Sequence, residues 1–293
     1  MAKKTKTDSP TAASKPKKLP SEPTGIDVID RLSESAQCSI EDYVTAVSAY
    51  VRASATLTAG AKKAAQIRLS AGLSRALACE LVAACPEMTN IEVGEKKVSG
   101  ALRDSKADLI ESKPLDGLRL AVELKPVNLA VGRAIWNRFG DLRVFAVNIH
   151  LKFPFAVVGG VLVVPLYEEV GSEAAKKAGN AEAIVEGGQL DPGELMDLAS
   201  NSAAPGSLGP AGQSNGRRRS TVHLIERAIQ RLVRAGGRKT EADAAHLLEG
   251  IAVVVYDPTT GMIDESLPAP GSGLRWKEFI RDLVTAYRGR FEG

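Results

Sequence analysis

Residues 107–125 read ADLIESKPLDGLRLAVELK, and this stretch decides the fold because it predicts two strands joined by a tight turn. From Leu118 to Lys125 apolar and polar side chains alternate, which is the period of a half-buried β-strand with one polar face. The preceding letters SKPLDG have the composition of a turn. Residues 107–110 are therefore expected to form the incoming strand of a hairpin.

The polar face of this hairpin carries two acidic residues and an amine. Glu123 and Lys125 are two residues apart on a strand and so share a face. Asp116, in the turn, is seven residues from Glu123 and would lie about 23 Å away along an extended strand. A hairpin folded near Leu115 instead returns Asp108 to Glu123, with opposed Cβ atoms about 5 Å apart. The sequence leaves the register open, and a slip of one residue would turn Asp108 to the other face.

Two neighbouring carboxylates repel each other and are stabilised by a cation between them. Hard oxygen ligands with open coordination positions suit Mg²⁺, which also binds phosphate oxygens. A lysine beside such a site can orient or deprotonate a water molecule, or stabilise charge on a phosphate. We therefore predict a phosphodiesterase site at Asp108, Glu123 and Lys125. The alternative interpretation is a solvated Glu–Lys pair on a half-buried strand.

The pattern resembles the motif of the PD-(D/E)xK nuclease superfamily: Asp108 is followed fifteen residues later by Glu123-Leu124-Lys125. The resemblance covers the hairpin well, and residues 61–165 and 251–256 more loosely. It departs from the motif at Ala107, where many members of the superfamily have proline.

By this resemblance the fold is α/β, with a central mixed β-sheet flanked by helices as in restriction endonucleases. Asp108 and Glu123 would hold Mg²⁺, and Lys125 would be the catalytic lysine. Many members also have a glutamate on the helix before the hairpin, for which Glu80 is the candidate. The implied activity is Mg²⁺-dependent cleavage of double-stranded DNA by a type II restriction endonuclease, which as a homodimer would match palindromic DNA. A repair or recombination nuclease of the same superfamily, or a non-catalytic DNA-binding or interaction protein, are the alternatives.

Polar and basic residues near the hairpin are the predicted DNA contacts. They are expected to line a cleft that binds backbone phosphates, although each is equally consistent with a solvated surface position. The set consists of Lys96, Lys97, Arg103, Lys106, Arg133, Asn137 and Arg138. A second basic stretch, between Arg217 and Lys239, includes a predicted helix that is also able to follow a DNA backbone.

The rest of the sequence predicts one nuclease domain over residues 25–293. Residues 1–24 are rich in lysine and polar residues and are expected to be a disordered basic tail. Small and polar residues dominate 168–220, which predicts a flexible insertion. Further helices are expected over residues 40–85, 129–138, 142–150, 221–235, 241–249 and 276–287, with a last strand over 251–256.

Composition excludes several other classes of function. The three cysteines are odd in number and lack CxxC spacing, and the three histidines are scattered, so neither a disulfide framework nor a histidine-rich metal site is indicated. No phosphate-binding GxxxxGK[ST] loop or GxGxxG motif occurs. The N-terminus has no apolar signal segment, and no stretch is long enough to span a bilayer. We therefore expect a cytoplasmic protein with no membrane partner.

Overall fold

The computed structural model of the chain describes residues 24–35, 37–170 and 217–292, without the side chains at 133, 169, 170 and 217. The helices are α1 Asp27–Glu34, α2 Ile40–Ala53, α3 Ala59–Ala84, α4 Val131–His150, α5 Val222–Val233 and α6 Trp276–Phe291. The strands are β1 Ile91–Ser99, β2 Asp104–Lys113, β3 Gly117–Pro126, β4 Val157–Pro165, β5 Tyr167–Val170, β6 Arg217–Ser220, β7 Gly250–Asp257 and β8 Met262–Ile263.

The larger of two compact units is built on a mixed sheet with the strand order β1-β2-β3-β4-β7-β8. Strands β1, β2 and β3 are antiparallel, β3, β4 and β7 are parallel, and β8 is antiparallel to β7. This confirms the predicted α/β class with a central mixed sheet. The second unit contains the two-stranded sheet of β5 and β6. None of the described helices has the length and apolar composition needed to cross a bilayer.

Helices cover both faces of the main sheet, so its central strands are buried on two sides. One apolar cluster joins α1, α2, α3 and α6 to one face, and the other joins α4 and α5 to the opposite face. Strand β4, VVGGVLVVP, is buried along its whole length, as expected for a parallel strand between two helical layers. Burial of each large apolar side chain contributes about 1.5–3 kcal/mol, and this drives the assembly of the layers.

Two glycines on β4 allow the helices to approach the sheet closely. A Cβ built at Gly159 would lie 3.1 Å from Phe279 Cε2 on α6, and one at Gly160 would lie 3.0 Å from Leu142 Cδ2 on α4. Gly160 is the register partner of Glu123 on β3. Because Gly160 has no side chain, α4 packs close to the sheet beside Glu123, one of the two predicted acidic residues.

Four local predictions are wrong. The register shifts at Arg119, so Leu118 packs against the α4 face while Leu120 packs against the opposite one. Strand β3 is also covered on both faces and is not half-buried. The helices expected over 129–138 and 142–150 are the single helix α4. Residues 241–249 form turns and not a helix. The backbone of Leu248 instead pairs with that of Gly236, and Leu248 O accepts a hydrogen bond of 3.1 Å from Arg238 N. The predicted tail at 1–24, apart from Thr24, and most of the predicted 168–220 insertion lie outside the described residues.

Asn148 of α4 attaches the turn between β1 and β2 to the helix layer. Its side chain is fully buried; Oδ1 accepts hydrogen bonds from Leu102 N at 2.8 Å and Arg103 N at 3.1 Å. Its Nδ2 donates to Arg103 O at 2.8 Å and to Ser105 Oγ at 2.7 Å. One side chain thus determines where the end of the β1–β2 hairpin lies.

We expect Asn148→Ala to lower the free energy of unfolding by about 1–2 kcal/mol, since the lost bonds are only partly replaced by water at this turn. Urea denaturation measures that loss, and hydrogen exchange at the Leu102 and Arg103 amides should become faster. Asn137→Ala, at an exposed asparagine of the same helix, is the control. Equal unfolding free energies for the two variants would contradict the anchoring role.

Candidate active site

The β2–β3 hairpin brings Asp108 and Glu123 to the same face of the sheet. The β2–β3 pairing ends at Leu109 and Val122, and Asp108 and Glu123 are the next residues beyond that pair. The Asp108 carboxylate turns toward β3, where its Oδ2 accepts a hydrogen bond of 2.7 Å from Leu124 N. The two acids are therefore neighbours on adjacent strands, close enough for the charge of Asp108 to raise the pKa of Glu123.

A bulge on β1 lies on the other side of Asp108. The β1–β2 register shifts between Val93 and Lys96, and Gly94 has a positive φ of 87° at this point. Glycine adopts this conformation at little cost, and bulges of this kind increase the local twist. Glu95, within the bulge, is close enough for its charge to raise the pKa of Asp108.

Lys125 completes the group on the same face of β3. Its Nζ lies 2.5 Å from Glu123 Oε1 and 3.9 Å from Asp141 Oδ2. Asp141 belongs to α4 and precedes Leu142, the residue that packs on Gly160. Side-chain exposure rises from 12% at Glu123 to 18% at Lys125 and 43% at Asp141. Asp141 therefore lies at the solvent-exposed edge of the site.

Burial dominates the electrostatics of the two acids. It raises the pKa of Glu123 to about 7, although Lys125 opposes this, and the charges of Asp108 and Asp141 raise it further. Burial also raises the pKa of Asp108, against the opposing effects of the Leu124 N–H and of Lys125. A single lysine therefore does not compensate for the buried negative charge of both carboxylates.

The pair fits a divalent cation. Glu123 Oε2 is buried and has no hydrogen-bond partner among the described residues, so a carboxylate oxygen is left unsatisfied beside a second carboxylate. An unsatisfied buried anion is costly, and a hard cation is the ligand that such oxygens bind. Asp108 and Glu123 are the residues that would hold it. Asp108 and Glu123 supply two ligands; among the described residues only Cys85, Glu87 and Glu292 form a group of three possible ligands within 4.8 Å of one another, and both glutamates are exposed there.

Glu80 does not join this site, contrary to the sequence-based expectation. It lies on α3, which packs against the opposite face of the sheet together with Leu120 and Leu124. Burial raises the pKa of Glu80, and its neighbours are Trp276, Glu41, Ile40 and Lys277. The sheet separates this carboxyl from Glu123, so Glu80 has no access to the predicted metal.

The predicted DNA-contacting lysines on the hairpin are each paired with an acid. Lys96 Nζ lies 2.6 Å from Glu92, Lys97 2.6 Å from Asp104, and Lys106 3.0 Å from Glu95. Arg138 similarly lies 3.1 Å from Asp141, next to Lys125. Arg103 and Asn137 are exposed, and the side chain of Arg133 lies outside the described part of the chain.

Sequence reasoning did not identify Asp141. Its only local signal is the spacing of three from Arg138 on a helical segment, a pattern found on many exposed helix faces. Its position beside Lys125 depends on the packing of α4 at Gly160, which is a tertiary property.

Among the described residues, Asp108, Glu123 and Lys125 form the group that fits the chemistry expected from the sequence. The resemblance of the chain to the PD-(D/E)xK superfamily rests on the same three residues and stays a prediction. No family model, curated protein or solved structure matches the chain.

Proposed function

We propose that this protein is a Mg²⁺-dependent endonuclease that hydrolyses phosphodiester bonds in double-stranded DNA. The observation that supports this proposal is the placement of Asp108 beside Glu123, with Lys125 bonded to Glu123, on two adjacent strands. Metal-dependent hydrolysis of a phosphodiester uses negatively charged ligands for the metal and a positive group beside them, and these three side chains supply both.

Each residue has a distinct role in the proposal. Asp108 and Glu123 would hold the metal, which would supply Lewis-acid activation of a water and of a phosphate oxygen. The Leu124 N–H holds the Asp108 carboxylate in its orientation. Lys125 Nζ has three hydrogens and gives one to Glu123 Oε1, so the others are available to a phosphate or to an attacking water.

Within this class we propose a type II restriction endonuclease acting as a homodimer. Two-fold symmetric DNA sites are matched by two copies of one chain, which is an argument from family analogy. A repair or recombination nuclease would use the same residues. The pattern of digestion separates the two, since restriction gives discrete fragments.

A non-catalytic binding or interaction protein is the second candidate. It is favoured by the close Glu123–Lys125 ion pair and by the burial of Glu123, which is only 9% exposed. In that case the pair would serve the stability of β3 and would have no substrate.

Cleavage of supercoiled plasmid DNA by the full chain tests the proposal. We expect nicked or linear DNA with Mg²⁺ and intact DNA with EDTA. Asp108→Ala and Lys125→Ala should each reduce the rate at least about 100-fold, as the loss of one electrostatic group in an active site typically does. Asp116→Ala is the control, because that aspartate lies in the turn and binds Arg119. Plasmid and genome-length DNA that both stay intact with Mg²⁺, or equal rates for all variants, would exclude a nuclease with this site.

A further inference from the structure

A basic surface is formed where α4 packs against α5. The guanidinium of Arg231 lies 4.4 Å from the centre of the Trp136 ring, and that of Arg227 lies 5.6 Å from it. On α4, Arg143 lies 5.9 Å from the ring centre of Phe139. Arg234 caps the end of α5 and is exposed. We call these residues the α4–α5 face: Trp136, Phe139, Arg143, Arg227, Arg231 and Arg234.

The net charge of the helices that form this face differs from that of the β1–β2 hairpin. Residues 91–113 contain five basic and five acidic residues, so their net charge is zero. Helix α4, together with α5 and its cap Arg234, carries six arginines against Asp141 and Glu226, a net charge of +4. Positive potential is therefore concentrated on the helices and is balanced at the hairpin.

Three arginines of the α4–α5 face, Arg143, Arg231 and Arg234, also offer their guanidinium groups to an incoming anion. In the described part of the chain, the side chains of these three arginines form neither a hydrogen bond nor an ion pair. A guanidinium that stacks on an aromatic ring uses its flat face and leaves its N–H edge for bidentate contact with phosphate. Stacking on Trp136 also restricts the Arg231 side chain before any ligand binds, which lowers the entropy cost of binding.

The spacing along α5 suits an extended polyanion. Arg227, Arg231 and Arg234 lie at positions i, i+4 and i+7, which is one stripe along a helix. At about 1.5 Å per residue this stripe is roughly 10 Å long. The buried residues Ile225 and Leu232 point into the core from the other side of α5, so the stripe faces outward.

We infer that the α4–α5 face binds the phosphate backbone of duplex DNA and anchors it beside the site at Asp108 and Glu123. This inference deepens the proposed function and rests on it for the choice of DNA as the polyanion. The arginines of the two helices, and not the hairpin lysines predicted from the sequence, would then make the main phosphate contacts.

Fluorescence anisotropy with a labelled DNA duplex tests the inference, with EDTA present so that binding is measured without cleavage. The double variant Arg231→Ala/Arg234→Ala should bind at least about tenfold more weakly, and the slope of log K against log salt should become shallower by about 2, roughly 0.9 for each lost phosphate contact. Arg231→Lys keeps the charge but not the planar stack, and is expected to give an intermediate affinity.

Two further double variants make the comparison specific. Lys62→Ala/Lys63→Ala removes two cations from α3, on the other side of the sheet, and should bind as the wild type does. Lys96→Ala/Lys97→Ala tests the competing hairpin surface. A larger loss of affinity in this hairpin variant than in the arginine variant would overturn the inference, as would a wild-type protein that does not bind duplex DNA. Binding of the same arginines to anionic phospholipid vesicles, with unchanged DNA affinity, would also overturn it.

The cleavage assay separates this inference from the proposed function. If the wild type binds DNA through the arginines but never cuts it, the nuclease proposal is excluded and DNA binding at the α4–α5 face is supported. If the wild type cuts DNA and the arginine variant binds as tightly as the wild type, the nuclease proposal is supported and DNA binding at the α4–α5 face is excluded.

Discussion

Glu123→Gln is expected to abolish Mg²⁺-dependent cleavage and, in metal-free protein above pH 7, to increase stability. The two effects have one cause, which is the burial of a carboxylate whose second oxygen has no partner in the described structure. Burial raises its pKa from the ordinary value of 4.5 to about 7. The amide has the same shape and no charge, so it removes both the metal ligand and the cost of keeping a buried anion.

The sign of the pH dependence follows from proton linkage. Between pH 4.5 and about 7 the folded wild type keeps a proton on Glu123 that the unfolded chain has already lost. The free energy of unfolding therefore falls as pH rises through this window, by about 3 kcal/mol at most. Because Lys125 loses its charged partner in the variant, we expect a net gain of about 1–2 kcal/mol at pH 8 and little difference near pH 4.

Thermal or urea unfolding at pH 4 and pH 8, with and without Mg²⁺, measures these effects. Mg²⁺ should stabilise the wild type and leave Glu123→Gln unchanged, since only the wild type has both ligands. Glu265→Gln, at a glutamate whose side chain is 84% exposed, is the matched control. A Glu123→Gln variant that is less stable than the wild type at pH 8 would show instead that the ion pair with Lys125 stabilises β3, as the non-catalytic alternative requires.

Prediction from sequence succeeded where the signal is local. The alternation from Leu118 to Lys125 and the turn composition were sufficient to predict the β2–β3 hairpin, because strand period and turn chemistry act over a few residues, although the sequence left the register of Asp108 open. The start of α2 is another local feature: Ser39 forms a reciprocal cap with Asp42, with Oγ accepting from Asp42 N at 3.1 Å.

Prediction failed where tertiary packing decides. Glu80 lies on a correctly predicted helix, yet no local pattern states which face of the sheet that helix covers. Asp141 became part of the site because Gly160 lets α4 approach β3, and the shift at Arg119 reversed the side chain of Leu118. The nuclease assignment itself stays a prediction, since geometry places the groups together without testing what they do.

Glu249 is the second residue at which a conservative change should have a large effect, this time on folding. It precedes β7, and its side chain is completely buried. Oε1 accepts from Arg238 Nη1 at 2.8 Å and from Arg290 Nη2 at 2.7 Å. Oε2 accepts from Val158 N at 2.8 Å and lies 3.2 Å from His150 Nε2. This carboxylate therefore joins the ends of α4 and α6, the segment after α5, and β4.

Burial alone would raise the pKa of Glu249, but His150, Arg290 and Arg238 outweigh it and hold the pKa below its usual value. A glutamine keeps one acceptor oxygen and turns an NH₂ group toward donors, which leaves buried cations without a counter-charge. Removal of one partner from a buried ion-pair network costs about 3–5 kcal/mol, so we expect Glu249→Gln to lose that much at pH 7.

The pH dependence identifies the charge as the cause. Because the folded pKa of Glu249 is depressed, its stabilisation is fully present above the unfolded pKa and is lost as pH falls through the folded value. The gap between wild type and Glu249→Gln should therefore be widest near neutral pH and narrow under acid conditions. Urea denaturation at pH 7 and pH 4 measures it, with Glu265→Gln again as the control. If the difference in unfolding free energy stays constant with pH, the loss is due to packing and not to charge. If the difference is below about 1 kcal/mol at pH 7, the network does not contribute substantially to the stability of the fold.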